Sequence, residues 1–170
     1  AYALGQTADS TAEAPLQQRI NTEASPMVRR YLLEALGRCT SRAGLSTLVR
    51  LPAALLTDTA VLSGQAWGLY RAGLRGLTSE IAVSRLVQLL APANPSSARL
   101  AAANALVRTR GLNLVPYAGA LATAAQSDPA YAVRSAAAGA LSKAAAAPAV
   151  PGVLATLARR DPDYRVRISA

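Results

Sequence analysis

The side chains that most often carry out chemistry in proteins are scarce in this sequence. It holds no histidine, a single cysteine (Cys39) and nine carboxylates against 18 basic residues. A zinc tetrad, a histidine-based triad and a cysteine–histidine pair all need residues that are missing here. The carboxylates suggest no acid–base pair, and no glycine-rich phosphate loop is present. We therefore expect no catalytic residue, no metal site, no cofactor and no small-molecule substrate.

Positive charge is the one chemical property that the sequence holds in excess. The formal net charge is +9, and every basic residue except Lys143 is an arginine. Such a balance raises nucleic acid or an acidic protein as a partner. Biased use of arginine and alanine codons would give the same composition without a functional meaning, and both interpretations stay open. Cys39 alone cannot form an internal disulfide, so it indicates no compartment.

The overall composition favours helices. The 170 residues suit one domain or a short run of repeats, and they include 40 Ala and 25 Leu but only one Trp and no Phe. A domain that contains β-sheet would hold more Phe, Ile and Val. Ala and Leu are strong helix formers, so we predict a single all-α domain over residues 1–170. No stretch approaches the ~18 uncharged apolar residues that a membrane span needs.

A short pattern recurs along the chain. In its clearest copy, Val133-Arg134 is followed by Ala140-Leu141, seven and eight positions after the valine. Apolar or small residues at i, i+3 or i+4, i+7 and i+8 predict an amphipathic helix in each copy, and a second apolar helix follows each one. The copies begin at Val28, Val61, Ala98, Val133 and Val166, with spacings of 33, 37, 35 and 33 residues. The predicted units are 1–24, 25–56, 57–93, 94–127, 128–160 and a partial unit 161–170.

Polar residues and prolines mark where these helices should start. Asp128-Pro129 and Asp161-Pro162 are predicted to place an N-cap acceptor before a proline at the first helical position. Ser25-Pro26 and Asn94-Pro95 carry the same signal, and Thr57-Asp58 stands in for it without a proline. One such helical hairpin cannot bury its apolar face alone, so the units should stack.

The Asp-x-x-x-x-Val-Arg … Ala-Leu skeleton at this period resembles HEAT repeats, and it looks closest to the short bacterial repeats called phycobilin-lyase-like. The resemblance implies a right-handed α-α superhelix, an armadillo-like solenoid, whose second helices line the concave face. Similar bacterial segments occur beside a cyclophilin-type peptidyl-prolyl isomerase domain. This chain lacks the Phe and His of such a site, so that activity would reside in another part of a longer protein. The chain starts at Ala1 without Met and stops where a helix begins, so we expect it to be a piece of one.

The resemblance also implies a ladder of aspartate and arginine side chains between repeats. A structural ladder with caps is favoured over ligand binding for these residues, and Leu62 interrupts the series by replacing an arginine. The predicted ladder and cap residues are Arg29, Arg99, Asp128, Arg134, Asp161 and Arg167.

Other arginines are candidates for binding a partner. If second helices line a groove, an acidic peptide or a phosphate backbone could use the arginines on them, although a solvated polar face explains them as well. The fourth unit has no arginine on its second helix, which interrupts the stripe that phosphate tracking would need. The candidates are Arg19, Arg42, Arg50, Arg85, Arg159, Arg160 and Tyr117.

The sequence thus predicts a noncatalytic helical-repeat scaffold that binds a protein or peptide through its concave face. A module that binds nucleic acid through a basic groove is the alternative, motivated by the net charge of +9. A segment that spaces or orients an attached isomerase domain is a third. The compartment stays unknown, with the cytoplasm slightly favoured over the periplasm or secretion.

Overall fold

A computed structural model describes residues 2–170, and its regular structure is helical. Helices make up 73% of it, and residues 2–170 contain no strand, so the all-α prediction is confirmed. The odd-numbered helices are α1 (Tyr2–Gln6), α3 (Pro26–Cys39), α5 (Thr59–Leu74), α7 (Ser96–Arg108), α9 (Tyr131–Leu141) and α11 (Tyr164–Ser169). The even-numbered helices are α2 (Glu13–Thr22), α4 (Leu45–Val49), α6 (Glu80–Leu89), α8 (Ala118–Ser127) and α10 (Val150–Arg160). Short 3-10 turns occur at Ser10–Ala12, Ala53–Leu55, Val115–Tyr117 and Ser142–Ala144.

Polar caps define the starts of several helices. Ser25 caps α3 with Pro26 at the first helical position, Asp58 caps α5 by accepting from the amides of Ala60 and Val61, and Ser79 caps α6. A side-chain oxygen at this position satisfies an amide that has no partner inside the helix.

The predicted starts of α9 and α11 are wrong by a few residues. These helices begin at Tyr131 and Tyr164, so the prolines after Asp128 and Asp161 precede the helix rather than open it. Each carboxylate instead accepts from the amide two residues later, at 2.9 Å from Ala130 and 2.8 Å from Asp163. This local turn leaves the second carboxylate oxygen available to another partner.

The prediction at Asn94-Pro95 is also wrong, because α7 begins at Ser96 and Pro95 stands at the cap. Proline has no side-chain acceptor, so this helix start has no side-chain cap.

The odd-numbered helices pack against one another in chain order, α1 on α3, α3 on α5, α5 on α7, α7 on α9 and α9 on α11. Small residues make this close packing possible. In α7, Ala98, Ala101, Ala102 and Ala105 are completely buried. The abundant alanine is therefore core material, because short side chains let helix axes approach each other.

The even-numbered helices pack on one another less evenly. α4 packs on α6 and α8 packs on α10, but α6 and α8 make few contacts with each other. No helix within residues 2–170 combines the length and the apolar character needed to cross a membrane.

Candidate partner-binding site

Two buried ion pairs connect successive units in the C-terminal half. The Arg99 guanidinium donates to both carboxylate oxygens of Asp128, at 2.6 and 3.1 Å. Arg134 donates to both carboxylate oxygens of Asp161 in the same bidentate geometry, at 2.9 and 3.0 Å. All four side chains are at most 10% exposed. Such paired hydrogen bonds fix orientation as well as charge, so these four residues hold the units in register.

The same guanidinium groups also bind the turn that starts their own helix. Arg134 donates to the carbonyl oxygen of Asp128 at 2.9 Å, and Arg99 donates to that of Asn94 at 2.6 Å. Arg134 therefore contacts both Asp128 and Asp161, which follow α8 and α10. The two even-numbered helices consequently end beside one guanidinium.

Arg29 and Arg167 lie at the equivalent position but bind only backbone oxygens within residues 2–170. Arg29 donates to the carbonyl oxygens of Ile20 and Glu23, and Arg167 donates to those of Asp161 and Pro162. The expected carboxylate partner of Arg29 is missing because the matching place in the next unit holds Leu56. The ladder is thus built at Arg99 and Arg134, while Arg29 and Arg167 cap their own turns.

The ion pairs shift the ionisation of their members. The hydrogen bonds from Arg134 hold the pKa of Asp161 below its ordinary value, and the hydrogen bonds to Asp161 raise the pKa of Arg134. Hydrogen bonding to Asp128 likewise raises the pKa of Arg99. Arg134 and Asp161 are therefore both charged near neutral pH. Arg99 and Arg134 therefore stabilise the fold through these ion pairs.

In the third unit a buried amide takes over the connecting role. Gln65 is completely buried in α5 and donates to the carbonyl oxygens of Leu48 and Val49, at 3.0 and 2.9 Å. Its own side-chain oxygen accepts from Arg85 at 3.0 and 2.8 Å. Arg85 was predicted to face a groove, but it is half-buried and its guanidinium is occupied by this network.

The remaining predicted binding residues fall into two groups. Arg19 is exposed but forms an ion pair with Glu23 at 2.7 Å, within the same helical face. Among residues 2–170 we find no hydrogen bond or ion pair for Arg42, Arg50, Arg159 or Arg160, all of which are exposed. These four arginines are the predicted binding residues whose charge is available to a partner, and Arg110, outside the predicted set, is exposed and without such a contact as well.

Arg42 and Arg50 flank one small cavity of about 200 Å³ at the start of α6. They lie just before and just after the short helix α4, and the hydroxyl-bearing Thr78 and Ser79 also line the cavity. The apolar part of the lining consists of Leu45, Val49 and Ile81. A cavity with two unpaired guanidinium groups above an apolar floor suits a carboxylate attached to an apolar chain.

A second cavity, of about 390 Å³, adjoins the first because Thr78 and Ser79 line both. Its further lining includes Glu80, Val83 and the half-buried Tyr117. Glu80 is exposed and makes no polar contact with any other described residue. The predicted binding residues Arg42, Arg50 and Tyr117 are thus brought to one continuous depression, whereas Arg159 and Arg160 lie at the end of α10.

A third cavity lies between the remaining lengths of α6 and α8. It encloses about 240 Å³, and one wall is formed by Val87 of α6 and by Leu90, which directly follows this helix. The α8 wall consists of small residues, among them Ala120, Thr123 and Ala124. The opening has a simple cause, because these side chains are too short to fill the space beside the branched side chains of α6. We call the second and third cavities together the α6–α8 cleft.

Sequence reasoning missed the residues that form this cleft. Nothing in the sequence around Val87, Ala120 or Thr123 distinguishes these residues from those of a packed helix face. The run of small residues in α8 was the only hint, and the same composition fills the tight interface of α7. No group of three or more side chains that could hold a metal ion occurs in residues 2–170. Comparison with protein-family models, curated proteins and solved structures finds no match for this chain.

Proposed function

We propose that this chain is a noncatalytic helical-repeat protein that binds a peptide segment of a protein partner in the α6–α8 cleft. The observation that carries the proposal is the gap in the even-numbered helices. α4 packs on α6 and α8 packs on α10, yet between α6 and α8 apolar walls remain uncovered. Uncovered apolar surface of this kind is typical of a binding groove.

The dimensions of the cleft fit a peptide. Each wall is a helix of 10 residues, which corresponds to about 15 Å. The cavity of about 240 Å³ is lined by residues of both helices, the cavity of about 390 Å³ lies at the start of α6 beside the segment that precedes α8, and each could take one or two side chains. A segment docked there would place apolar side chains between Val87 and Ala120 and leave its polar groups toward solvent.

The same proposal includes the architecture of HEAT repeats, a right-handed solenoid with the even-numbered helices on its concave face. Consecutive packing of the odd-numbered helices supports it. The recurrence of one arginine–aspartate pair, at Arg99–Asp128 and at Arg134–Asp161, supports it as well.

Selection of binding peptides tests the function directly. A display library of random 12-residue peptides is selected against the full chain, and the enriched peptides are measured against two variants. Ala120→Phe fills the cleft from an exposed position, whereas Gln126→Phe places the same ring on α8 away from the cavity lining. We expect Ala120→Phe alone to weaken binding at least tenfold. Equal binding to both variants, or no enrichment, would contradict the proposal.

Binding of nucleic acid is the second candidate, favoured by the exposed arginines that lack a partner. Duplex DNA of mixed sequence, titrated across a salt series, separates the two functions. Tight binding with a steep salt dependence would establish a phosphate-binding surface. We expect weak binding, because the cleft is apolar and holds the unpaired carboxylate of Glu80.

A further inference from the structure

We propose that the segment bound in the α6–α8 cleft is acidic at one end only. A carboxylate-bearing residue would lie between Arg42 and Arg50, and the apolar residues that follow it would enter the cleft. This inference rests on the proposed function and adds the chemical class and the direction of the partner.

The internal charge balance singles out the cavity between these two arginines. Most of the nine carboxylates are engaged inside the protein. Glu34 pairs with Arg38 and Arg71, Asp163 pairs with Arg165, and further carboxylates hold the ladder or cap turns. No carboxylate lines the cavity of Arg42 and Arg50, so two positive charges face a space of about 200 Å³ without a counter-charge.

The chemistry of the cavity favours a carboxylate. Two guanidinium groups can each offer parallel N–H donors to a planar anion, and the hydroxyl groups of Ser46 and Thr78 lie in the same lining. Ile81 lies in the same lining and is 52% exposed. The aliphatic part of an aspartate or glutamate, or of its neighbour, would cover Ile81.

The opposite end of the depression selects against a second acid. Glu80 lies in the cavity that shares Thr78 and Ser79 with the arginine cavity, and no described residue neutralises it. An acidic residue placed there would meet a like charge, whereas an apolar or basic residue would not. The peptide direction follows from this asymmetry, with acid at Arg42 and Arg50 and apolar side chains from Tyr117 onward.

A phosphate backbone fits this arrangement less well than a peptide does. Nucleic acid would carry its charges past Glu80 and along the apolar walls of Val87 and Leu90, where nothing compensates them. The other exposed unpaired pair, Arg159 and Arg160, lies at the end of α10 rather than along the cleft. These two arginine pairs therefore do not form a continuous stripe.

The test uses the enriched peptides from the display selection as probes. We expect their consensus to hold an aspartate or glutamate near one end and apolar residues two to four positions away. Replacing that acid by its amide should weaken binding about tenfold. The double variant Arg42→Gln/Arg50→Gln should produce the same loss for the acidic peptide and little change for the amide peptide. The double variant Arg159→Gln/Arg160→Gln removes the same charge elsewhere and should leave binding unchanged.

The outcomes separate this inference from the proposed function. A consensus without an acid, or an acidic peptide that binds the Arg42→Gln/Arg50→Gln variant normally, would overturn the inference. If such a peptide still loses binding with Ala120→Phe, the cleft remains the binding site and only its acidic preference fails. Competition by duplex DNA that depends on Arg42 and Arg50 would also overturn the inference, in favour of a phosphate ligand. Because all four arginines are exposed, thermal unfolding should be nearly the same for both double variants.

Discussion

The two halves of this molecule connect their repeats by different means. From residue 94 onward, buried arginine–aspartate pairs bridge successive units, with Asp128 and Asp161 accepting from the arginine of the preceding unit. Between residues 25 and 93 no such pair bridges the described units. There the units are joined by the buried amide of Gln65 and by the half-buried ion pair of Glu34 with Arg71. One repeating skeleton therefore supports two kinds of connection.

Backbone proximity is the other feature of the N-terminal half. A Cβ atom added to Gly37 would meet the backbone of Gly68, and one added to Gly68 would lie 2.5 Å from the carbonyl oxygen of Leu33. A Cβ on Gly64 would lie 2.7 Å from the backbone of Arg30. Helices α3 and α5 therefore touch through their backbones, whereas Gly139 in α9 faces only the Val107 side chain.

The comparison of the two halves shows what an arginine at the repeat position needs in order to bridge two units. A guanidinium can cap its own turn in any unit, as Arg29 and Arg167 do, because backbone oxygens are always present. It bridges two units where the next unit supplies an acid five residues before the repeated valine, as Asp128 and Asp161 do, whereas Asp58 lies three residues before Val61 and caps α5 instead. The position of the aspartate relative to the next repeated valine, more than the Val-Arg step itself, identifies a ladder.

The largest expected effect comes from breaking one ladder pair. Arg134→Ala leaves Asp161 buried without its partner, and removal of one member of a buried ion pair costs about 3–5 kcal/mol. We expect the free energy of unfolding in urea to fall by that amount. Arg167→Ala, which removes only contacts to backbone oxygens, should cost about 1 kcal/mol. Similar losses for the two variants would show that Asp161 contributes nothing to the difference between the halves.

Adding one methyl group between α3 and α5 should have the next largest effect. Gly68→Ala places Cβ against the carbonyl of Leu33, and such overpacking costs about 1–3 kcal/mol. The matched control is Gly139→Ala, where the flexible Val107 side chain can move and the gain in helix propensity offsets part of the cost. Thermal unfolding of both variants checks this, and an unchanged Gly68→Ala midpoint would refute the close backbone contact.

Removing the buried amide should weaken the N-terminal half by a smaller amount. Gln65→Leu keeps the volume but leaves the carbonyl oxygens of Leu48 and Val49 without their donor, at a cost of about 1–2 kcal/mol. Arg85 loses its acceptor at the same time. The control Gln126→Leu lies on the surface of α8 and should change stability little. Chemical unfolding that does not distinguish the two leucine variants would argue against a connecting role for Gln65.

The smallest effect is a pH dependence of the C-terminal half. The folded-state pKa of Asp161 is lowered, chiefly by hydrogen bonds from Arg134, and hydrogen bonds from Arg165 lower the pKa of Asp163 to about 2. A lowered aspartate pKa stabilises the fold above the unfolded-state pKa, and this contribution disappears as pH falls through the folded-state value. The stability difference between wild type and Asp161→Asn, measured by urea unfolding, should therefore shrink as the pH falls below about 4. A stability difference that stays constant with pH would show that the charge of Asp161 does not stabilise the fold.

The sequence predicts the helical array better than the binding site. The recurrence of Val-Arg and Ala-Leu identified the odd-numbered helices, because a helix that buries one face must repeat its apolar residues at helical spacing. It could not show that Arg85 turns inward, since that depends on a glutamine at residue 65, where the other units have Ala or Leu. Nor could it show the cleft, because Ala120 beside open space and Ala101 in a tight interface are the same residue type. The open space of the cleft depends on the side chains of α6 and α8 together, so the sequence of one helix alone does not predict it.

Hydrogen exchange on the complex with an enriched peptide tests the central claim most directly. Deuterium uptake is measured for the full chain with and without saturating peptide, and for the Ala120→Phe variant. The account predicts that protection increases in α6 and α8, at residues 80–89 and 118–127, and that this increase is lost in the variant. Protection confined to the odd-numbered helices α5 and α7, with no change in α6 and α8, would contradict it.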